Sequence, residues 1–123
     1  MNRFQLQERL IDFSVLTIEI VDGLLASKAG NHLGGQLVRS GTSCPLNYGE
    51  AQSAESSKDF VHKMSVVLKE LRETWVCLEI IRKAKLFPNT NLLATVLKEN
   101  NELIAIFVKS IETSKKKSEI KKS

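Results

Sequence analysis

The residues best equipped for chemistry lie between positions 32 and 73. Ser43 and Cys44 are candidate nucleophiles, and His62 is a candidate base. Neither nucleophile sits in a G-x-S-x-G elbow, and nothing in the spacing places His62 beside one. His62 shares a helical face with Lys58 and Lys63, which reads as a solvated face. Glu70 and Glu73 form a carboxylate pair three residues apart. A di-iron bundle would also require Glu-x-x-His on two helices, and that motif is missing from this sequence. His32 and His62 have no second ligand type at metal spacing, and Cys44 and Cys77 form no CxxC. No metal, cofactor or enzymatic activity is expected.

One constellation is sharper. Gln36, Ser40, Ser43, Asn47 and Glu50 recur at three- and four-residue intervals, so a helix would align them as one polar stripe. Beside it, Leu33, Leu37, Cys44, Tyr48 and Ala51 make a thin apolar stripe. The stripe supports two readings. In one, Arg39, Asn47 and Glu50 face a groove and contact a ligand or a nucleic-acid backbone. In the other, Ser40, Ser43, Asn47 and Glu50, with Glu70 from another helix, form a hydrogen-bonded structural seam, because buried polar groups are normally satisfied ones. The second reading is favoured. Pro45 within the helix removes a backbone bond, which predicts a kink near 41–43 and a need for replacement bonds.

The elements that would position these residues are all helical. Four segments of 3.6-residue period span about 4–27, 32–54, 56–85 and 89–112. The first has two apolar stripes: Leu6, Leu10, Phe13, Ile20 and Leu24, and then Ile11, Val15, Ile18 and Leu25. One stripe serves a bundle core, so the second calls for a partner and predicts an oligomer. Gly30-Asn31 is expected to end this helix. Ser56 is expected to cap the third helix, and Asn89 or Thr90 the fourth. Asn100 interrupts the apolar stripe of the fourth and would set register. No stretch alternates with period two, so no strand is expected. The expected fold is an all-α, antiparallel up-down four-helix bundle with a kinked second helix over residues 1–113.

Length and charge bound the function further. The chain has 123 residues, a single domain's worth, with a net charge of +4. Residues 114–123 carry five Lys and one Glu, so the remaining 13 basic and 13 acidic side chains cancel. This stretch reads as a basic, disordered tail. Lys115, Lys116, Lys117, Lys121 and Lys122, with Arg39, Lys58 and Lys63 on the body, are the candidate nucleic-acid contacts. The sequence lacks an apolar run long enough for a membrane span and a signal-peptide pattern, so a cytoplasmic location with no membrane partner is expected.

Gln36-Leu37-Val38-Arg39-Ser40, then Ser43-Cys44-Pro45-Leu46-Asn47-Tyr48-Gly49-Glu50, Lys58-Asp59-Phe60 and Glu70 together resemble a known pattern. It is that of the four-helix bundle proteins encoded in intervening sequences of 23S ribosomal RNA genes. Tyr48 and Ala51 stand where that family usually has Ile and Gly. Arg39, Asn47, Glu50, Asp59, Phe60 and Glu70 match its characteristic positions. The resemblance implies a left-handed bundle, a homopentameric ring and no enzymatic activity. It also implies kinship with the accessory protein of diversity-generating retroelements, a basic barrel that binds nucleic acid and a reverse transcriptase. The expected function is a non-enzymatic oligomer that binds RNA or DNA, or a nucleic-acid-processing partner of the reverse-transcriptase kind. The alternative is an adaptor bundle acting through protein contacts alone.

Overall fold

The computed structural model describes residues 1–122, with side chains through Ile120. Four helices follow one another: α1 (Arg3–Asp22), α2 (Lys28–Gln52), α3 (Ser57–Lys83) and α4 (Thr90–Lys122). No strand occurs among the described residues. Packing is heaviest between chain neighbours, and α1 meets α4 only lightly. Short connections at 23–27, 53–56 and 84–89 make this an up-down antiparallel bundle. The core is built from the expected stripes: Leu10, Phe13 and Ile20 of α1, Leu37 and Cys44 of α2, Met64, Val67, Leu71 and Leu78 of α3, and Leu93, Val96, Leu103 and Phe107 of α4.

Helix ends follow the polar residues beside them. Asn2 accepts from the Gln5 amide while the Gln5 side chain accepts from the Asn2 amide, a reciprocal capping box. Ser56 accepts from the Asp59 amide, and Asn89 from the Leu92 amide, as the sequence suggests. The first connection differs from expectation. α1 stops at Asp22 with Gly23 as its C-cap, and Ser27 caps α2 by accepting from the Gly30 amide. Gly30 therefore lies inside the first turn of α2, and Gly30-Asn31 does not end α1. The Leu25 amide donates to the Leu86 carbonyl at 2.9 Å, tying the first connection to the third.

α4 also differs. It does not give way near Glu112 but continues as helix to Lys122. Ser114 and Ser118 continue the inward-facing period of Ile111 with small polar side chains, half-buried near Ser57 and Phe60 of α3. A serine continuation is invisible to an apolar pattern. The side chains of Lys121 and Lys122, and all of Ser123, lie outside the described residues.

α2 runs unbroken through Pro45. Proline has no N–H, so the Gly41 carbonyl loses its helical donor. Ser14 of α1 supplies the replacement, its Oγ donating to Gly41 O at 2.7 Å in a buried setting. Gln7 Nε2 donates to Pro45 O at 3.0 Å one turn along. Thr17 presses against Gly41 so closely that a Cβ there would lie 2.5 Å from Thr17 Oγ1. Glycine at 41 thus admits α1, and α1 in turn mends the proline break.

Candidate functional site

The polar stripe divides when placed in three dimensions. Ser40 is fully buried, and the Thr74 hydroxyl of α3 bridges Ser40 Oγ at 2.9 Å and the Glu70 carbonyl at 2.7 Å. Glu70 is buried, and its Oε2 accepts from Arg39 Nη1 at 3.2 Å. Arg39 also pairs with Glu73, so one guanidinium on α2 spans two carboxylates of α3. The Arg39 hydrogen bond holds the Glu73 carboxyl below its usual value. Ser43 and Asn47 are half-buried and turn back on their own helix, donating to Ser40 O at 2.8 Å and Ser43 O at 2.9 Å. Glu50 is exposed. The inter-helix seam is therefore Ser40, Thr74, Glu70 and Arg39. Asn47 is a local bond within α2, and Glu50 lies apart from both.

Thr74 was not among the sequence candidates, nor were Ser14, Thr17 and Gln7. Ser14 and Thr17 had a readable signal: they occupy the core stripe of α1 between Leu10 and Ile20, where a polar side chain requires a partner. Asn100, expected to set register, is fully buried and donates from Nδ2 to Leu71 O at 3.0 Å. Its Oδ1 is the one buried side-chain polar atom without a partner among the described residues.

The candidate nucleophiles are poorly placed. Burial, assisted by Glu70, pushes the Cys44 thiol up to about 12, and burial also raises Cys77. His62 is exposed on α3. Among the described residues, no group of three or more His, Cys, Asp or Glu side chains converges as a metal site would require. No helix among the described residues is long and apolar enough to cross a membrane.

The candidate cations fall into two sets. Arg39 is committed to Glu70 and Glu73, ~18 Å along α3 from Lys58 at 1.5 Å per residue. Lys63 pairs with Asp59 at 3.4 Å. Lys58 is exposed and shares with Lys115 a cleft of about 330 Å³ between the start of α3 and the end of α4. An adjoining cleft of about 250 Å³ holds Lys117 beside Ser56, Ser57 and Phe60. Among the described residues, Glu119 is the only carboxylate lining either cleft. Lys116 is exposed on the same stretch of α4. The up-down path thus brings the start of α3 and the lysine-rich end of α4 to one end of the bundle.

The model of the 23S rRNA-intervening sequence protein family matches residues 3–109, nearly the whole bundle. The chain belongs to that family. A solved structure shares this member's fold: a protein of unknown function from the S23 ribosomal protein family of Bacteroides thetaiotaomicron. It is 24% identical, aligns with a TM-score of 0.81, and covers 91% of this chain and 99% of its own. No curated protein matches the family member described here. Of the six positions that the resemblance singles out, Arg39 and Glu70 form the α2–α3 clamp and Asp59 and Phe60 lie in the first turn of α3, whereas Asn47 and Glu50 belong to neither.

Proposed function

We propose that this protein works without catalysis, as a self-assembling bundle that binds RNA or DNA through its lysine-rich end. The observation that carries the reading is the gathering of Lys58, Lys115 and Lys117 around two clefts at one end of the bundle, lined among the described residues by a single carboxylate. The rest of the chain is electrically balanced, so attraction for a polyanion concentrates there. Self-assembly is supported by the outer stripe of α1. Ile11, Val15, Ile18 and Leu25 are all exposed, and none of the described residues covers them. A homopentamer is the closed assembly that family likeness suggests, and it would multiply each lysine contact fivefold along one strand. A cytoplasmic location and a nucleic-acid-processing protein as a further partner belong to the same reading.

The test is a salt titration of RNA binding by the full chain and by a Lys115→Gln, Lys116→Gln, Lys117→Gln variant. Substitution is preferable to truncation, because residues 114–118 cover part of α3. The wild type should bind without sequence preference, and the variant should lose most affinity and flatten the slope of log K against log salt, by roughly 0.7 per lysine that neutralised a single-strand phosphate. An unchanged slope would remove the lysine end from the mechanism. Absence of binding by either form at low salt would leave the adaptor reading in its place.

A further inference from the structure

α1 and α3 stand at opposite corners of the bundle and do not touch, since each packs on α2 and α4. Each has an outward face that the fold leaves unused, and the two faces differ in charge. On α1, Ile11, Val15 and Ile18 are exposed between two pairs of exposed carboxylates, Glu8 with Asp12 and Glu19 with Asp22. On α3, Val76 and Ile80 are exposed, with Lys69 and Arg72 before them and Lys83 after. Arg72 and Val76 also edge a groove of about 440 Å³ lined by Trp75 and by Ile104 of α4.

Pairing within the chain sorts the free charge by helix. Every carboxylate of α3 is taken: Asp59 by Lys63, Glu70 and Glu73 by Arg39, and Glu79 by Arg82. None of the four carboxylates of α1 has an ion pair among the described residues, and Arg9 of α1 is spent on α4. Lys69, Arg72 and Lys83 are in no ion pair either, although Lys69 acts on Glu73 from a distance. A lone chain gains nothing from this. Glu8 and Asp12 repel across one turn, and Glu19 and Asp22 lie in the last turn of α1, where the helix dipole disfavours anions and no basic residue offsets them.

The faces also match in height. Ser14 meets Gly41, and the adjacent Ser40 meets Thr74, so positions 14 and 74 share a level. α1 and α3 run parallel in an up-down bundle, so other levels follow in step. Asp12 stands level with Arg72, and Glu8 with Lys69, Val15 with Val76 and Asp22 with Lys83 agree to about one residue, ~1.5 Å. A two-fold contact of α1 with α1 would oppose carboxylates to carboxylates, and one of α3 with α3 cations to cations. We infer that the outward face of α1 docks on the outward face of α3 in a second copy, parallel and at the same height, with Asp12 beside Arg72. A head-to-tail contact that does not climb is the kind a closed ring needs. The inference rests on the self-assembly reading above and adds to it the second face, the direction and the charge pairing.

The experiment is sedimentation velocity of the full chain at low and high salt, with Asp12→Lys, Arg72→Glu and the double variant. Both side chains are exposed and unpaired, so circular dichroism melts should stay close to wild type. Each single variant sets like charges together and should weaken association at least about tenfold, and the double variant should recover most of that. High salt should weaken the wild type and narrow its lead over the single variants. A multimer untouched by Arg72→Glu would overturn the inference while leaving self-assembly through α1 in place. Single variants that weaken assembly with no rescue in the double would overturn the pairing of Asp12 with Arg72. An Arg72→Glu protein that assembles normally but loses RNA binding would overturn it in favour of nucleic acid on the α3 face. A wild type that stays monomeric would overturn the inference and the self-assembly reading together.

Discussion

Ser14 shows how one hydroxyl can carry a disproportionate share of a fold. Its bond to Gly41 O replaces the one Pro45 cannot make. Removing it leaves a buried carbonyl without a donor, which costs about 1–3 kcal/mol. Ser14→Ala should therefore lower the chemical-denaturation stability by that amount. Pro45→Ala restores an N–H aimed at the same carbonyl, so Ser14→Ala in that background should cost roughly 1 kcal/mol less. The measurement is a double-mutant cycle by urea denaturation, and strict additivity would show that Ser14 and Pro45 are not linked through Gly41. Asn47, by contrast, bonds only to a carbonyl of its own helix. The spacing that put it in the stripe with Ser40 could not tell an inward turn from a backward one, because that depends on a rotamer.

At the scale of elements, α2 is a weak helix held from both sides. α1 mends its proline, and α3 grips it through Arg39 and the Ser40–Thr74 pair. The α3 grip has a pH signature. Arg39 lowers the Glu73 carboxyl below 4.5, its ordinary value. A carboxyl depressed on folding stabilises the fold above its unfolded value and loses that contribution as pH falls through its folded value. Arg39→Gln should remove the contribution at neutral pH and leave stability less dependent on pH below about 4.5. Thermal melts of both proteins from neutral to acid pH would show their curves converging, and parallel curves would mean the clamp is inert. Much of this architecture was legible. Stripe spacing located four helices and their core faces, and Ser56 and Asn89 marked two helix starts. The first connection was misplaced because Gly23 and Gly30 are equally good stop signals, and only the Leu25–Leu86 bond shows which connection the chain uses. The end of α4 was missed because Ser114 and Ser118 carry a helical period without apolar side chains.

At the scale of the molecule, α1 has its inward face in the core and an outward face, Ile11, Val15 and Ile18, in solvent. If a second copy covers that face, a charge at its centre should block assembly without harming the fold. Val15→Glu should yield a 13.8 kDa monomer by light scattering where the wild type gives a multiple of that mass. Its melting should shift little, since exposed positions tolerate substitution within about 0.5 kcal/mol. A monomeric wild type at micromolar concentration would remove assembly from the proposed function. The site at the bundle's end was only half legible. A run of lysines can be read from a string, but the convergence of Lys58 with Lys115, 57 residues apart, exists only once the chain has doubled back.

The light seam between α1 and α4 bears on how the chain acquires its shape. Each of the other helix pairings closes a turn of a few residues, whereas the bridge from Arg9 to Glu99 and Glu102 closes a loop of about ninety. Closure entropy grows as the logarithm of loop length, so joining those ends from an open chain would cost roughly 2.6 kcal/mol more than forming a five-residue turn. Once α2 and α3 have docked, most of that entropy is already lost, and the remaining gap is the width of a helix. The cheapest route therefore winds helix onto helix in chain order and leaves this seam for the end. A bundle assembled in that order depends mostly on local pairings, the arrangement that lets helical domains fold in microseconds to milliseconds.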